Sequence, residues 1–122
     1  MTKEYDLVVL GGGPAGYPAA IRASQLGASV CLVEKGPLGG TCLNWGCIPT
    51  KTFHALAHLL DRAGDGHRLG ARGSLEPDAE ALFAHKEEVV SSLVGGIERL
   101  IGKRKIELVR GAGRLAGGGA VE

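Results

Sequence analysis

The segment Tyr5-Asp-Leu-Val-Val-Leu-Gly-Gly-Gly-Pro-Ala-Gly16 decides the fold of this chain. Its first half, Tyr5 to Leu10, is a short run of apolar and β-branched residues, which predicts a strand buried on both faces of a sheet. Its second half has the spacing Gly11-x-Gly13-x-x-Gly16. A glycine turn with this spacing, placed between a strand and a helix, is typical of sites that bind the pyrophosphate of a dinucleotide.

The residues after this turn complete a strand–helix–strand unit. Helical spacing of small and apolar residues runs from about Pro14 to Leu26, and Gly27 marks the C-terminal end of that helix. Pro18 lies in its first or second turn and predicts a late start or a local distortion. A second strand follows from residue 28 and ends at Glu34, whose carboxylate is placed to bind ribose hydroxyls. The alternative is a glycine-rich turn with no ligand.

The remaining residues predict two further helices and one more strand. Residues 36–47 contain Pro37 and several glycines, so we expect irregular or distorted helix there. One helix is predicted from Pro49 to about Ala63, and a long amphipathic helix from residue 78 to about residue 103. A strand at 106–110 precedes an unfinished hairpin around residues 117–119. The predicted inward residues of the long helix are Leu82, Val89, Leu93, Ile97, Leu100 and Ile101.

The cysteines of Gly39-Gly-Thr-Cys-Leu-Asn-Trp-Gly-Cys-Ile-Pro-Thr-Lys51 carry the predicted chemistry. Cys42 and Cys47 would be separated by about 7.5 Å of rise in a regular helix, whereas a disulfide needs Cα atoms within about 7 Å. A bond between them therefore requires irregular backbone, which Asn44 and Gly46 permit. A cross-link over so short a loop contributes only about 2 kcal/mol, which suits redox cycling better than structural support. The start of a helix also favours a thiolate.

Other interpretations of these residues remain open. The two cysteines could be unpaired core thiols, or they could bind zinc together with His54 and His58, which otherwise form a solvated helix face. Cys31 lies in the middle of a strand and is most simply a small buried residue. Lys51, one helical turn after Cys47, either holds a carboxylate or a reduced cofactor, or is a plain surface lysine.

Composition excludes several classes of function. The 122 residues carry 14 basic and 13 acidic side chains, so the net charge of +1 provides no electrostatic footprint for nucleic acid or a membrane surface. No apolar run approaches the length of a transmembrane helix. No signal-peptide pattern precedes the first strand, so we expect a cytoplasmic location. In that compartment three cysteines argue against a disulfide scaffold.

Taken together, the glycine turn, Glu34-Lys35 and the cysteine segment resemble the class I pyridine nucleotide–disulfide oxidoreductases. Leu43, Ile48 and Thr50 are most similar to the dihydrolipoamide dehydrogenases within that family. The resemblance covers essentially the whole chain and implies an α/β, Rossmann-like FAD-binding domain with a parallel sheet and flanking helices. It also implies an incomplete domain.

The resemblance implies a role for each matching residue. FAD is the implied cofactor, with Gly11, Gly13 and Gly16 at its pyrophosphate and Glu34 at the adenosine ribose; Lys35 is a further implied cofactor-binding residue. Thr41 and Lys51 would approach the flavin, and the backbone of Gly113 the adenine end. Cys47 would be the thiol next to the flavin, and Cys42 the outer thiol that exchanges with a lipoamide-type substrate. Electrons would then pass to NAD.

The resemblance further predicts that residues 1–122 are the N-terminal part of a longer, homodimeric enzyme and are inactive alone. A second dinucleotide turn for NAD, an interface domain and a catalytic His–Glu pair are missing from these residues. The remaining alternatives are a related disulfide or mercuric reductase, and a small stand-alone nucleotide-binding redox module.

Overall fold

A computed structural model describes residues 2–122 of the chain. It contains five strands, four α-helices and one 3-10 turn in this part of the sequence. In chain order these are β1 (Leu7–Leu10), α1 (Gly16–Gln25), β2 (Val30–Glu34), α2 (Gly40–Asn44), α3 (Cys47–Gly64), the 3-10 turn (Gly66–Leu69), α4 (Ala79–Lys103), β3 (Glu107–Arg110), β4 (Leu115–Gly117) and β5 (Ala120–Val121).

The main sheet is parallel and has the strand order β1-β2-β3. The predicted α/β, Rossmann-like fold with a parallel sheet and flanking helices is therefore confirmed. β2 is the central strand, and its residues Val30 to Val33 are all buried. β1 lies at an edge, with Leu7 and Leu10 exposed by 37% and 39%. The expectation that β1 is buried on both faces was wrong, because Leu7 and Leu10 point to opposite faces of the strand and both are exposed.

α1 begins at Gly16, two residues after the predicted start at about Pro14, and ends at Gln25, one residue before the predicted end. Pro18 is its third residue, a position at which the backbone amide has no acceptor inside the helix, so the late start predicted as one way of accommodating this proline is observed. At the other end Gly27 has φ +92°, and the Ala28 amide bonds back to the Ala23 carbonyl at 3.1 Å. This left-handed glycine closes the helix and turns the chain into β2.

α4 is the long amphipathic helix, and Asp78 caps it by accepting a hydrogen bond from the Ala81 amide at 3.0 Å. Its buried residues are Val90, Ile97 and Ile101. Leu93 and Leu100 were expected to point inward but are 41% and 47% exposed. They flank the stripe that packs on the core, because the apolar face of α4 is wider than the surface that covers it.

α3 packs beside the first half of α4, and the rings of Phe53 and Phe83 meet edge to face with centroids 5.4 Å apart. The core itself lies between the sheet, α1 and α4, and it also takes in the short helix α2 through Leu43. Leu32 and Leu38 are its two largest fully buried side chains. The core therefore holds α2, which carries Cys42, against α3 and α4. The C-terminal hairpin of β4 and β5 is also present, as predicted.

Candidate dinucleotide and disulfide site

The glycine turn joins β1 to α1 in a geometry that two of its glycines make possible. Gly11 has φ +98°, a left-handed conformation that favours glycine. A Cβ atom on Gly16 would lie 1.8 Å from the Gly11 carbonyl oxygen. The start of α1 can therefore approach the end of β1 only because residue 16 has no side chain.

Gly13 differs, because nothing in the protein requires a glycine there. A Cβ atom on Gly13 would meet no atom closer than 3.9 Å, and its φ is not left-handed. The turn thus leaves open space beside residue 13, next to the Gly16 amide, which is the first amide of α1 and has no acceptor inside the helix. The next amide, that of Tyr17, donates to the Gly13 carbonyl at 3.2 Å, and Pro18 has no amide hydrogen. Space, the Gly16 amide and the positive end of the helix dipole fit the pyrophosphate of a dinucleotide such as FAD.

Glu34 lies at the end of β2 and faces the same turn. One carboxylate oxygen accepts from the Gly12 amide at 2.6 Å, and the other from the Gly36 amide at 2.7 Å. Burial raises the pKa of this carboxyl, but the amides of Gly36, Gly12 and Lys35, together with the charge of Arg110, outweigh burial and hold the pKa below its usual value. Glu34 is therefore an anion whose remaining lone pairs can accept from hydroxyl groups. The side chain of Lys35 is exposed.

Cys42 and Cys47 are joined by a disulfide bond, with their Cα atoms 4.7 Å apart. Cys42 lies in α2 and Cys47 is the first residue of α3. Between the two helices the backbone is irregular at Gly46, where a Cβ atom would lie 3.1 Å from the Thr41 carbonyl oxygen. The expectation that irregular backbone brings the cysteines together is confirmed. The Asn44 side-chain amide pins the loop by donating to the carbonyls of Leu38 and Gly40.

The cysteine segment and the glycine turn touch through their backbones. The Gly39 amide donates to the Gly12 carbonyl at 2.8 Å. A Cβ atom on Gly40 would lie 2.8 Å from the Cα atom of Gly13, and Gly39 and Gly40 have φ values of +94° and +59°. The disulfide is thereby held beside the dinucleotide turn. Our sequence reasoning missed this role of the Gly39-Gly40 pair, although two consecutive glycines before the first cysteine were the available signal.

The other predicted site residues are Thr41, Lys51 and Gly113, which lie on separate segments of the chain. Thr41 is exposed on α2 next to Cys42, and Lys51 is exposed on α3 one turn after Cys47. Lys51 also borders an apolar groove of about 610 Å³ between α3 and α4. A Cβ atom on Gly113 would lie 2.7 Å from a methyl carbon of Leu10. Close packing behind β1 thus explains that glycine, and a contact with a cofactor stays a prediction.

Cys31 and the histidines stand apart from the site. Cys31 is the one free cysteine and is buried in β2, as predicted. Burial raises the pKa of its thiol, and the charge of Glu107 raises that pKa further. His54 and His58 are exposed on α3, which agrees with the solvated helix face expected for them.

Comparison with known proteins places this geometry in a family. The sequence pattern of the pyridine nucleotide-disulphide oxidoreductases matches residues 5–122. The chain belongs to this family. The resemblance inferred from the glycine turn and the cysteine segment is thus confirmed, and the family as described combines a nucleotide cofactor with disulfide chemistry.

Curated relatives match nearly the whole of this chain but a small part of their own length. Dihydrolipoyl dehydrogenase of Rhizobium etli is 42% identical over 123 residues, covering 99% of this chain and 26% of the relative. Dihydrolipoyl dehydrogenase of Manduca sexta is 47% identical over 124 residues, covering 99% and 25%. Leghemoglobin reductase of Vigna unguiculata is 44% identical over 119 residues, covering 93% and 22%. The chain spans about a quarter of the length of these relatives.

Across residues 2–122, no helix combines the length and the apolar character that a membrane crossing requires.

Proposed function

We propose that residues 1–122 form the N-terminal part of the FAD-binding domain of a flavoenzyme that oxidises dihydrolipoamide with NAD. The observation that carries this proposal is the Cys42–Cys47 disulfide held directly beside the dinucleotide turn by the Gly39–Gly12 hydrogen bond. The names of the relatives support the substrate. NAD would bind to a part of the longer protein outside these residues, and the longer protein would be a cytoplasmic homodimer.

The residues around the turn would hold FAD from several sides. The backbone of Gly11, Gly13 and Gly16, including the Gly16 amide at the start of α1, would bind the pyrophosphate. Glu34 would accept hydrogen bonds from the adenosine ribose, with Lys35 beside it. Bound there, FAD would supply a two-electron acceptor between the cysteine pair and NAD.

The remaining predicted cofactor contacts come from three separate elements. Thr41 on α2 and Lys51 on α3 flank the disulfide and would approach the flavin side. The backbone of Gly113 would contact the adenine end. These three assignments depend on the family resemblance rather than on a contact that the structure displays.

The cysteine pair would receive two electrons from the substrate by thiol–disulfide exchange. One substrate thiolate attacks the sulfur of Cys42, and Cys47 leaves as a thiolate. The second substrate thiol then displaces Cys42, so the substrate becomes a disulfide while the pair becomes a dithiol. Two electrons and two protons thus leave the substrate. The positive end of α3, which begins at Cys47, stabilises the thiolate formed there.

Single cysteine variants of the full-length protein test this assignment. C42S and C47S should each lower the rate of dihydrolipoamide oxidation by NAD by more than about a thousandfold, because neither can form the disulfide. Both variants should retain FAD, measured by its absorbance after acid release. Only C42S should keep a long-wavelength absorption that depends on a thiolate next to the flavin. Full activity in both variants would overturn the exchange route.

The identity of the physiological acceptor needs a separate experiment. Leghemoglobin reductase is as similar to this segment as the dihydrolipoyl dehydrogenases are, so identity over these residues does not separate their substrates. We expect kcat/KM of the full-length protein to be highest for dihydrolipoamide. A higher value for glutathione disulfide, Hg²⁺ or a haem protein would instead identify a related reductase, and a protein without flavin would identify a stand-alone redox module.

A further inference from the structure

His54 and His58 lie on the outer surface of α3 and take no part in the site described above. They are four residues apart, so they face the same side of the helix. Their rings stack with centroids 6.0 Å apart and an interplanar angle of 22°. Seven residues separate His54 from Cys47, which is about 10 Å of helical rise. One ion therefore cannot be bound by both His54 and Cys47. The sulfurs of Cys42 and Cys47 are also already bonded to each other.

We propose that His54 and His58 form a binding site of their own for a borderline divalent transition-metal ion such as Zn²⁺. Neutral imidazole nitrogens are preferred ligands of Zn²⁺, Ni²⁺ and Cu²⁺. Two histidines at this spacing on one helix face are a recurrent way of holding zinc. Both rings are exposed, so neither has to leave the core to bind an ion.

The distance between the rings suits a shared ion. Zinc–nitrogen bonds of about 2.0–2.1 Å in tetrahedral geometry place two ligand nitrogens about 3.3 Å apart. The two rings are stacked with their centroids 6.0 Å apart, so their nitrogens lie in nearly parallel planes rather than pointing at one another. Rotation of both rings about their Cβ–Cγ bonds, on an unchanged helix, would turn one nitrogen of each toward a shared ion.

The surroundings set how strongly the ion binds. Asp61 lies three residues after His58 on the same side of α3 and favours a cation, whereas Lys51, three residues before His54, opposes one. Within residues 2–122 no three metal-ligating side chains gather at one point. Water would therefore complete the coordination, and binding is weaker than at a zinc site with three or four protein ligands. The ion would still cross-link one turn of α3.

Calorimetric titration of the oxidised full-length protein with ZnCl₂ tests the site. The wild type should bind one more zinc ion per chain than H54A or H58A, or bind it at least about tenfold more tightly, because each variant loses one of two ligands. H67A is the matched control, since His67 is a single exposed histidine on the 3-10 turn, and it should titrate like the wild type.

A spacing variant separates a shared ion from two independent histidines. H58A/L59H keeps both imidazoles but moves the second by about 100° around the helix, and it should lose binding as H58A does. Leu59 is already 53% exposed, so this change spares the core. Zinc should also raise the thermal midpoint of the wild type and of H67A more than that of H54A. Equal titrations for wild type, H58A and H58A/L59H would overturn the proposal.

Discussion

Gly16 is the glycine at which an added methyl group would make the most severe steric clash. Its missing Cβ atom would lie 1.8 Å from a backbone oxygen of Gly11, which cannot rotate away as a side chain could. At Gly13 the same methyl group would meet open space within the protein. Packing within the protein therefore requires a glycine at position 16 but not at position 13.

We expect G16A to lower the free energy of unfolding of the full-length protein by about 3 kcal/mol, because the start of α1 must move away from β1. It should also reduce FAD content. G102A is the matched control, since nothing lies within 4 Å of a Cβ atom at this helical position and alanine should stabilise the helix by up to about 1 kcal/mol. Urea denaturation measures both. Equal stabilities for the two variants would contradict the close approach.

Glu34 predicts a dependence of stability on pH. Its pKa in the folded protein lies below the usual value of about 4.3. A lowered folded pKa means that the carboxylate contributes stability above the unfolded pKa, and that this contribution is lost as the pH falls through the folded pKa. The stability difference between wild type and E34Q, measured by urea denaturation, should therefore be larger at about pH 7 than at about pH 3.5.

E76Q is the control for that experiment, because Glu76 is an exposed loop residue. Its stability relative to the wild type should hardly change between the two pH values. If E34Q behaved in the same way as E76Q, the hydrogen bonds from the Gly12 and Gly36 amides would not be stabilising the ionised form.

At the scale of elements, α2 and α3 are joined by a disulfide that closes a very short loop. A cross-link between residues five positions apart contributes about 2 kcal/mol by restricting the unfolded chain. We expect dithiothreitol to lower the free energy of unfolding of the full-length protein by about that amount without unfolding it. C42S/C47S should show no such dependence. Loss of α3, seen as lower helicity by circular dichroism after reduction, would contradict this.

Local patterns were sufficient to predict most of these elements. The C-terminal end of α1 follows from Gly27, and the start of α4 follows from Asp78, whose side chain caps it. Each of these signals lies within a few residues of the element that it bounds, so no knowledge of the rest of the fold is needed.

Contacts between residues distant in the chain could not be predicted from the sequence. The exposure of Leu93 and Leu100 depends on how much of α4 the sheet and α3 cover, which helical periodicity does not reveal. The place of β1 at an edge depends on strand order in the same way. For the site, Cys42, Cys47 and Glu34 could be named from spacing, but the Gly39–Gly12 hydrogen bond could not, because it joins residues of two separate turns.

On the scale of the whole molecule, the redox pair is set apart from the core. The buried cluster joins the sheet, α1, α2 and α4, whereas Cys47 is exposed and Cys42 is partly exposed. Reduction and oxidation of the pair can therefore proceed without opening the core. Cys31, in the central strand, is only 4% exposed but borders a pocket between the N-terminal residues, β3 and the C-terminal hairpin.

Thiol labelling should display this separation. In the reduced native protein, iodoacetamide should modify Cys42 and Cys47 within minutes and leave Cys31 unmodified, because its thiol is buried and its pKa is raised by that burial. All three should react in denaturant. Mass spectrometry of the peptides measures each site. Comparable labelling of Cys31 in the native state would show that reagent reaches its thiol from the adjoining pocket, contrary to this expectation.

The direct backbone contact between Gly39-Gly40 and the glycine turn has a consequence for anyone who transplants this disulfide into another nucleotide-binding scaffold. The cysteine segment packs directly on the glycine turn, so a graft with even one methyl group at the position of Gly40 would clash with the backbone of the recipient's turn. A transplant would therefore have to include both the glycine turn and the cysteine segment, together with Leu38, whose side chain is fully buried.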